Sequence, residues 1–200
     1  MKNDKTFEEL INFGNDFIEF HFPEIARKYF QQALKIKPKN PVALDGLAWT
    51  YHMEGKNSKA KNFLERAIQL DKNFAEAYTD LGCVLQELGD ADKAEKMHKK
   101  CLEIDPARED AKFNLVHLYF SAKRFDELEL FFEDNADVLS KKIELLQLLG
   151  EVKIIKKDFR EAVNIFNKCL SIDEHNVEAG ILLSFVEFEL EQQSHSPIKQ

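Results

Sequence analysis

Residues 75–106 read AEAYTDLGCVLQELGDADKAEKMHKKCLEIDP. Small residues punctuate this charged stretch at Gly82, Ala94 and Cys101, each beside a large apolar neighbour. A catalytic loop would account for one of them, whereas a packing rule accounts for all three. Apolar residues recur three and four apart over 75–88, and Gly89-Asp90 then breaks the run. Ala94, Met97, Cys101, Leu102 and Ile104 form a second stripe that ends at Pro106. The spacing predicts two helices joined by a tight turn.

The same pattern returns every 34 residues along the chain. Leu81 aligns with Phe13, Leu47, Leu115 and Leu149, and Gly82 with Gly14, Ala48, Val116 and Gly150. Ala94 aligns with Ala26, Ala60 and Ala162, Leu128 being the misfit; Cys101 aligns with Ala33, Ala67 and Cys169, Asn135 being the misfit. The frame runs 7–40, 41–74, 75–108, 109–142 and 143–176 without an insertion, after a lead-in over 1–6. Pro23 sits at a first-turn position that proline tolerates, and Thr6 with Glu9 predicts a capping box.

Tyr78-x2-Leu81-Gly82, Leu47-Ala48-x2-Tyr51, Ala26-x3-Phe30, Ala162-x3-Phe166, Pro38 and Pro106 resemble the tetratricopeptide repeat pattern. The resemblance covers 7–176. It implies an all-α fold: a right-handed superhelix, or α-solenoid, of five helix-turn-helix units plus a C-terminal capping helix. Small residues at the three punctuating slots then let helices approach closely. Lys112 and Lys153 stand in slots that are normally apolar, and EDNADVLSKK reads as a shortened, irregular second helix in the fourth unit.

VEAGILLSFVEFEL extends the array by a closing helix over 177–190, with Ile181, Leu182, Leu183, Phe185, Val186, Phe188 and Leu190 covering nearly every face. A helix apolar all round requires burial, either against the end of the array or against another chain, which makes residues 177–190 a candidate for homo-oligomerisation. Residues 191–200 read as a disordered tail.

Composition narrows the function. The formal net charge of −8 argues against nucleic acid as partner. Cys83, Cys101 and Cys169 are too scattered for a disulfide framework or a zinc knuckle. The opening MKNDKTFEELI lacks the apolar stretch of a signal peptide, and no run could insert into a bilayer, so a cytoplasmic protein is expected. Neither phosphate-loop pattern occurs, and no cofactor or metal is expected.

In the resembled family the first helix of each unit faces inward. The inward stripes here hold nine acids and no Lys or Arg. Asp45, Glu76, Asp80, Asp110 and Glu151 would select positive charge, and Trp49, His52, Met53, Phe113, His117 and Phe120 would anchor apolar groups, with Cys83 beside them. The implied ligand is a protein partner's basic, partly apolar peptide or helix. The clamp by which chaperone-binding members hold a C-terminal carboxylate requires Lys and Arg that these stripes lack.

Cys83, His117 and Glu151 share one slot in consecutive units, an order that would suit a nucleophile, a base and an orienting acid. Stacked helices place such points about 9–10 Å apart, well beyond hydrogen-bond reach of ~3 Å. His98 fills a slot held elsewhere by Phe30, Leu64, Phe132 and Phe166, so it reads as a packed imidazole. The expected function is therefore a non-catalytic interaction module, an adaptor or assembly scaffold. A chaperone for a secreted or membrane-associated client and a self-assembling scaffold are the alternatives.

Overall fold

The structure, a computed structural model, describes residues 5–195 and the side chains of 5–193. Among these residues it contains twelve helices and no strand: α1 (Phe7–Glu19), α2 (Pro23–Ile36), α3 (Pro41–Met53), α4 (Asn57–Leu70), α5 (Ala75–Glu87), α6 (Ala91–Ile104), α7 (Glu109–Ser121), α8 (Phe125–Asp134), α9 (Ala136–Leu139), α10 (Ile143–Ile155), α11 (Phe159–Ile172) and α12 (Val177–His195). The starts of α1, α3, α5, α7 and α10 are 34 residues apart, as are those of α2, α4, α6, α8 and α11. No described helix is long and apolar enough to cross a membrane.

Local chemistry sets the helix ends. Thr6 and Glu9 form a reciprocal capping box: the Glu9 amide donates to Thr6 Oγ1 at 3.2 Å and the Thr6 amide donates to Glu9 Oε2 at 2.7 Å. Asn40, Asp90 and Asp158 accept from the first-turn amides of α3, α6 and α11. Each of the five turns between paired helices contains one residue in the left-handed region, at His21, Gly55, Gly89, Lys123 and Lys157. Only two of these are glycine, the residue that adopts this conformation without steric penalty.

The chain divides into two compact units, the first running to Asn114 and the second starting at Leu115. In the first, each helix from α1 to α5 packs against its successor, and α1, α3 and α5 also touch in series. The punctuating residues sit where the helices cross: Ala26, Ala33, Ala60, Ala67, Ala94 and Cys101 are fully buried. Gly82 lies against His98 so closely that a Cβ would come within 2.4 Å of the ring, as a Cβ on Gly14 would come within 2.6 Å of Phe30. The imidazole of His98 is fully buried, its Nε2–H donating to Gln86 Oε1 at 3.1 Å. It occupies a core slot that Phe30, Leu64, Phe132 and Phe166 fill in the other hairpins.

In the second unit, α11 packs on α10 and α12 on α11. The second helix of the fourth hairpin is short: α8 stops at Asp134, Asn135 Nδ2 donates to Phe131 O at 2.9 Å, and α9 adds a single turn. The apolar slot taken by Lys153 is made tolerable by charge, because its ammonium meets Glu129 Oε1 at 2.9 Å and Lys156 reaches Glu129 Oε2 and Asp126 Oδ1 at 2.6 Å each.

The closing helix departs from expectation at its end. It continues past Leu190 to His195, so 191–195 are helical rather than a disordered tail, while 196–200 and 1–4 lie outside the described residues. Glu191, Gln192 and Gln193 are good helix formers, and the first proline is Pro197. Ala179 and Val186 are buried, whereas Val177, Ile181, Phe185 and Phe188 are largely exposed.

Candidate functional site

The side-by-side arrangement of α1, α3 and α5 leaves a hollow of about 410 Å³ in the first unit. It is lined by Asn15, Ile18 and Glu19 of α1, Asp45, Gly46 and Trp49 of α3, Glu76 and Asp80 of α5, and Arg108 and Asp110 around the start of α7. The α-helical period puts Asp45 and Trp49, or Glu76 and Asp80, one turn apart on the same face. Gly46 keeps the floor open because Phe30 fills the space behind it; a Cβ there would lie 2.3 Å from the ring.

Five carboxyl groups thus share one hollow with a single guanidinium. Arg108 is committed: its Nε lies 3.0 and 3.1 Å from the two carboxylate oxygens of Asp110, and its Nη2 lies 3.8 Å from Glu76. Asp45 is different. It is 6% exposed, and its Oδ1 is buried without a hydrogen-bond partner. Burial, followed by the charges of Asp80 and Glu76, pushes its carboxyl well above the usual carboxylate range, against the opposing pull of Arg108. Asp80 is raised to about 7 by burial first and then by Glu76 and Asp110. Both groups therefore keep their protons to higher pH than ordinary carboxylates do.

Of the twelve groove residues predicted from sequence, this hollow brings together Asp45, Trp49, Glu76, Asp80 and Asp110. His52 and Met53 are half-buried and do not line it; the His52 ring stacks obliquely on Trp49 at 4.9 Å, and its Nδ1 is 2.9 Å from Asn57 Oδ1. Phe113 is also half-buried outside the lining. Cys83 accepts from Asn114 Nδ2 at 3.2 Å, and burial, with Asp80 and Asp110, pushes its thiol up to about 12. A protonated thiol is not an activated nucleophile, which removes the first member of the Cys–His–acid arrangement. His117, Phe120 and Glu151 belong to the second unit. There His117 is exposed, Phe120 lies 6.1 Å from Phe125, and Glu151 borders another hollow, of about 420 Å³, with Ile154, Ile155, Glu178, Leu182 and Phe185.

Five lining residues lie outside the twelve: Asn15, Ile18, Glu19 and Gly46, which sit on the first helices of their hairpins, and Arg108. The inward stripes hold no Lys or Arg, yet Arg108 enters the hollow from the turn just before α7. Its signal was available: Arg108 stands two residues before Asp110 in the segment PARED, a spacing that lets a long side chain fold back on its acid.

The tetratricopeptide repeat pattern matches residues 23–82, 75–108 and 143–176. The chain belongs to the tetratricopeptide repeat family. Among relatives, it is 24% identical over 143 residues to anaphase-promoting complex subunit 3 of Schizosaccharomyces pombe, covering 72% of this chain and 22% of that protein. It is 33% identical over 98 residues to Hsp70-Hsp90 organizing protein 2 of Arabidopsis thaliana, covering 48% of this chain and 17% of that protein. The chain thus spans about a fifth of the length of these relatives. The solved structure of pilF from Pseudomonas aeruginosa superposes with a TM-score of 0.81 at 16% identity, covering 94% of this repeat protein and 86% of that chain. At that identity the likeness establishes the fold alone.

Proposed function

We propose that this repeat protein is a non-catalytic adaptor or scaffold that holds a basic, partly apolar peptide or helix of a partner protein in the hollow of its first unit. One observation carries the proposal: five carboxyl groups and the face of Trp49 surround a space in which the sole guanidinium is already paired. A concave surface of one sign concentrates the opposite charge, and an indole offers an apolar anchor. Membership in a family that supplies interaction modules supports it, as do relatives whose names describe a complex subunit and an organizing protein.

The test is fluorescence anisotropy with a Lys/Arg-rich amphipathic peptide and its Glu-substituted counterpart. The basic peptide binds, and raising salt from about 50 to 500 mM weakens it roughly tenfold, because screening shortens the reach of the carboxylates. Asp80→Lys abolishes binding. Equal binding of the acidic peptide, or indifference to Asp80→Lys, refutes the proposal. Tight binding of a neutral apolar peptide at high salt would instead favour a chaperone for apolar segments.

A second mode has its own observation. Val177, Ile181, Phe185 and Phe188 leave an apolar face on α12 that is 45 to 74% exposed. We propose that a second copy of the chain covers this face, and Ile181→Glu with Phe185→Glu shifts the protein to monomer in sedimentation velocity. A wild-type protein that is monomeric at about 100 μM rules this mode out.

A further inference from the structure

Arg108 neutralises Asp110 and approaches Glu76 but leaves the deepest carboxyl of the hollow without a partner. Asp45 Oδ1 lies in a residue 6% exposed, and no donor reaches it. Leaving a buried polar atom unpaired is unfavourable, so the fold retains a defect that a ligand would repair. Toward an ionised Asp45 the missing group is a donor, and the excess of carboxyls makes a cation the complementary form. It is not a metal ion, since among the described residues no three His, Cys, Asp or Glu side chains are placed to hold one.

The dimensions narrow the cation further. Two carboxyls, Asp45 and Asp80, rise from successive first helices on one side of the space, and Trp49 lies one turn from Asp45. A guanidinium is planar, carries five donors that can serve two carboxylates at once, stacks on indole, and sheds its hydration more readily than an ammonium. The 410 Å³ volume admits its three-carbon stem as well.

We infer that the hollow is an arginine subsite, in which a partner's guanidinium enters between Asp45 and Asp80 and lies against Trp49. This subsite rests on the peptide-binding function proposed above and specifies which side chain that function reads. The site is also proton-linked. The groups facing Asp45 and Asp80 are Glu19 from α1, Glu76 from α5, Arg108 from the preceding turn and Asp110 from α7. Both central carboxyls are raised, so in the free protein each keeps its proton to higher pH than an ordinary carboxylate. A guanidinium stabilises their ionised forms, and the displaced proton passes to solvent. Raising pH ionises the carboxyls in advance, so affinity for arginine increases with pH.

Trp49 is the only tryptophan of the chain, so its emission reports on this site alone. The probes are acetylated and amidated peptides Ala-Leu-Gln-Xaa-Leu-Ala-Gln, in which Xaa is arginine, lysine or the neutral isostere citrulline. The arginine peptide is expected to bind about tenfold tighter than citrulline and severalfold tighter than lysine, and to tighten roughly tenfold between pH 5.5 and 7.5. Asp45→Asn and Asp80→Asn each bring arginine down to the citrulline value; should Asp45→Asn melt early, Asp80→Asn, at a half-buried position, carries the test. Arginine and citrulline binding alike, lysine binding as tightly as arginine, or an arginine affinity flat with pH overturns the subsite while leaving peptide binding intact. Failure of both these probes and the Lys/Arg-rich amphipathic peptide overturns the peptide-binding function itself.

Discussion

His98 gives a pH-dependent stability that a single substitution should abolish. The imidazole is fully buried between α5 and α6; one nitrogen is bonded to Gln86, and the other, Nδ1, has no partner. Burial pushes it from its ordinary 6.5 down to about 4, with the charge of Asp110 opposing. Above pH 6.5 neither the folded nor the unfolded chain binds a proton here. Below it the unfolded chain takes one up, whereas the folded chain resists until about pH 4, so stability falls as the pH is lowered through this window. Linkage between those two values gives a loss of about 2 kcal/mol from pH 7 to pH 4.5. His98→Phe restores the residue found in the same slot at Phe30 and Phe166, which face Gly14 and Gly150 at comparable separations. At pH 7 the variant lies within about 1 kcal/mol of wild type, the lost hydrogen bond to Gln86 being offset by apolar burial. Urea unfolding followed at 222 nm, at pH 7, 6, 5 and 4.5, then shows the two proteins diverging by about 2 kcal/mol at the acid end. Carboxyls such as Asp45 and Asp80 titrate in both and cancel in the difference. Parallel stability profiles would refute the burial argument.

Three further measurements probe the packing rule and the turns. Gly150→Ala places a Cβ 2.5 Å from Phe166, so overpacking outweighs better helix propensity and urea melts show a loss of about 1–2 kcal/mol. Gly180→Ala, with nothing within 4 Å of the new Cβ, gains up to about 1 kcal/mol in the same assay. Lys157 carries a φ of 62° at an exposed turn, so Lys157→Gly relieves the left-handed strain and raises the melting temperature, the gain being about 0.5–1 kcal/mol after the entropy of glycine is subtracted.

The repeat was legible because its packing constraints act locally and recur. Alanine or cysteine where helices cross recurs in every hairpin but the fourth, and glycine opposite an aromatic ring in the first, third and fifth, because close approach demands them, so one unit predicts the next. The left-handed turn residue was less visible. It recurs every 34 residues, but His21, Lys123 and Lys157 occupy it as well as Gly55 and Gly89, and only glycine advertises such a conformation in a sequence. The end of α12 was misplaced for a related reason: a polar run is compatible with both a solvated helix and a tail, and Glu191, Gln192 and Gln193 favour the helix.

The charge of the site was legible in sign but not in state. Helical spacing groups Asp45, Trp49, Glu76, Asp80 and Asp110, which line one hollow, because such grouping depends only on period. It could not tell an exposed carboxylate from a buried one. Glu76 and Asp110 are exposed and paired with Arg108, whereas Asp45, at an equally polar position in the sequence, is sealed beneath them. Burial converts what would be a simple negative surface into a set of carboxyls competing for too few counter-charges, and the surplus is settled by retained protons. An added positive group therefore gains more at Asp45 and Asp80 than at Glu76 or Asp110, since it satisfies an unpaired atom and replaces a proton rather than a neighbour. For the same reason salt should weaken the outer contacts of a basic partner more than the inner one, leaving a residual affinity at high salt that depends on arginine and on pH.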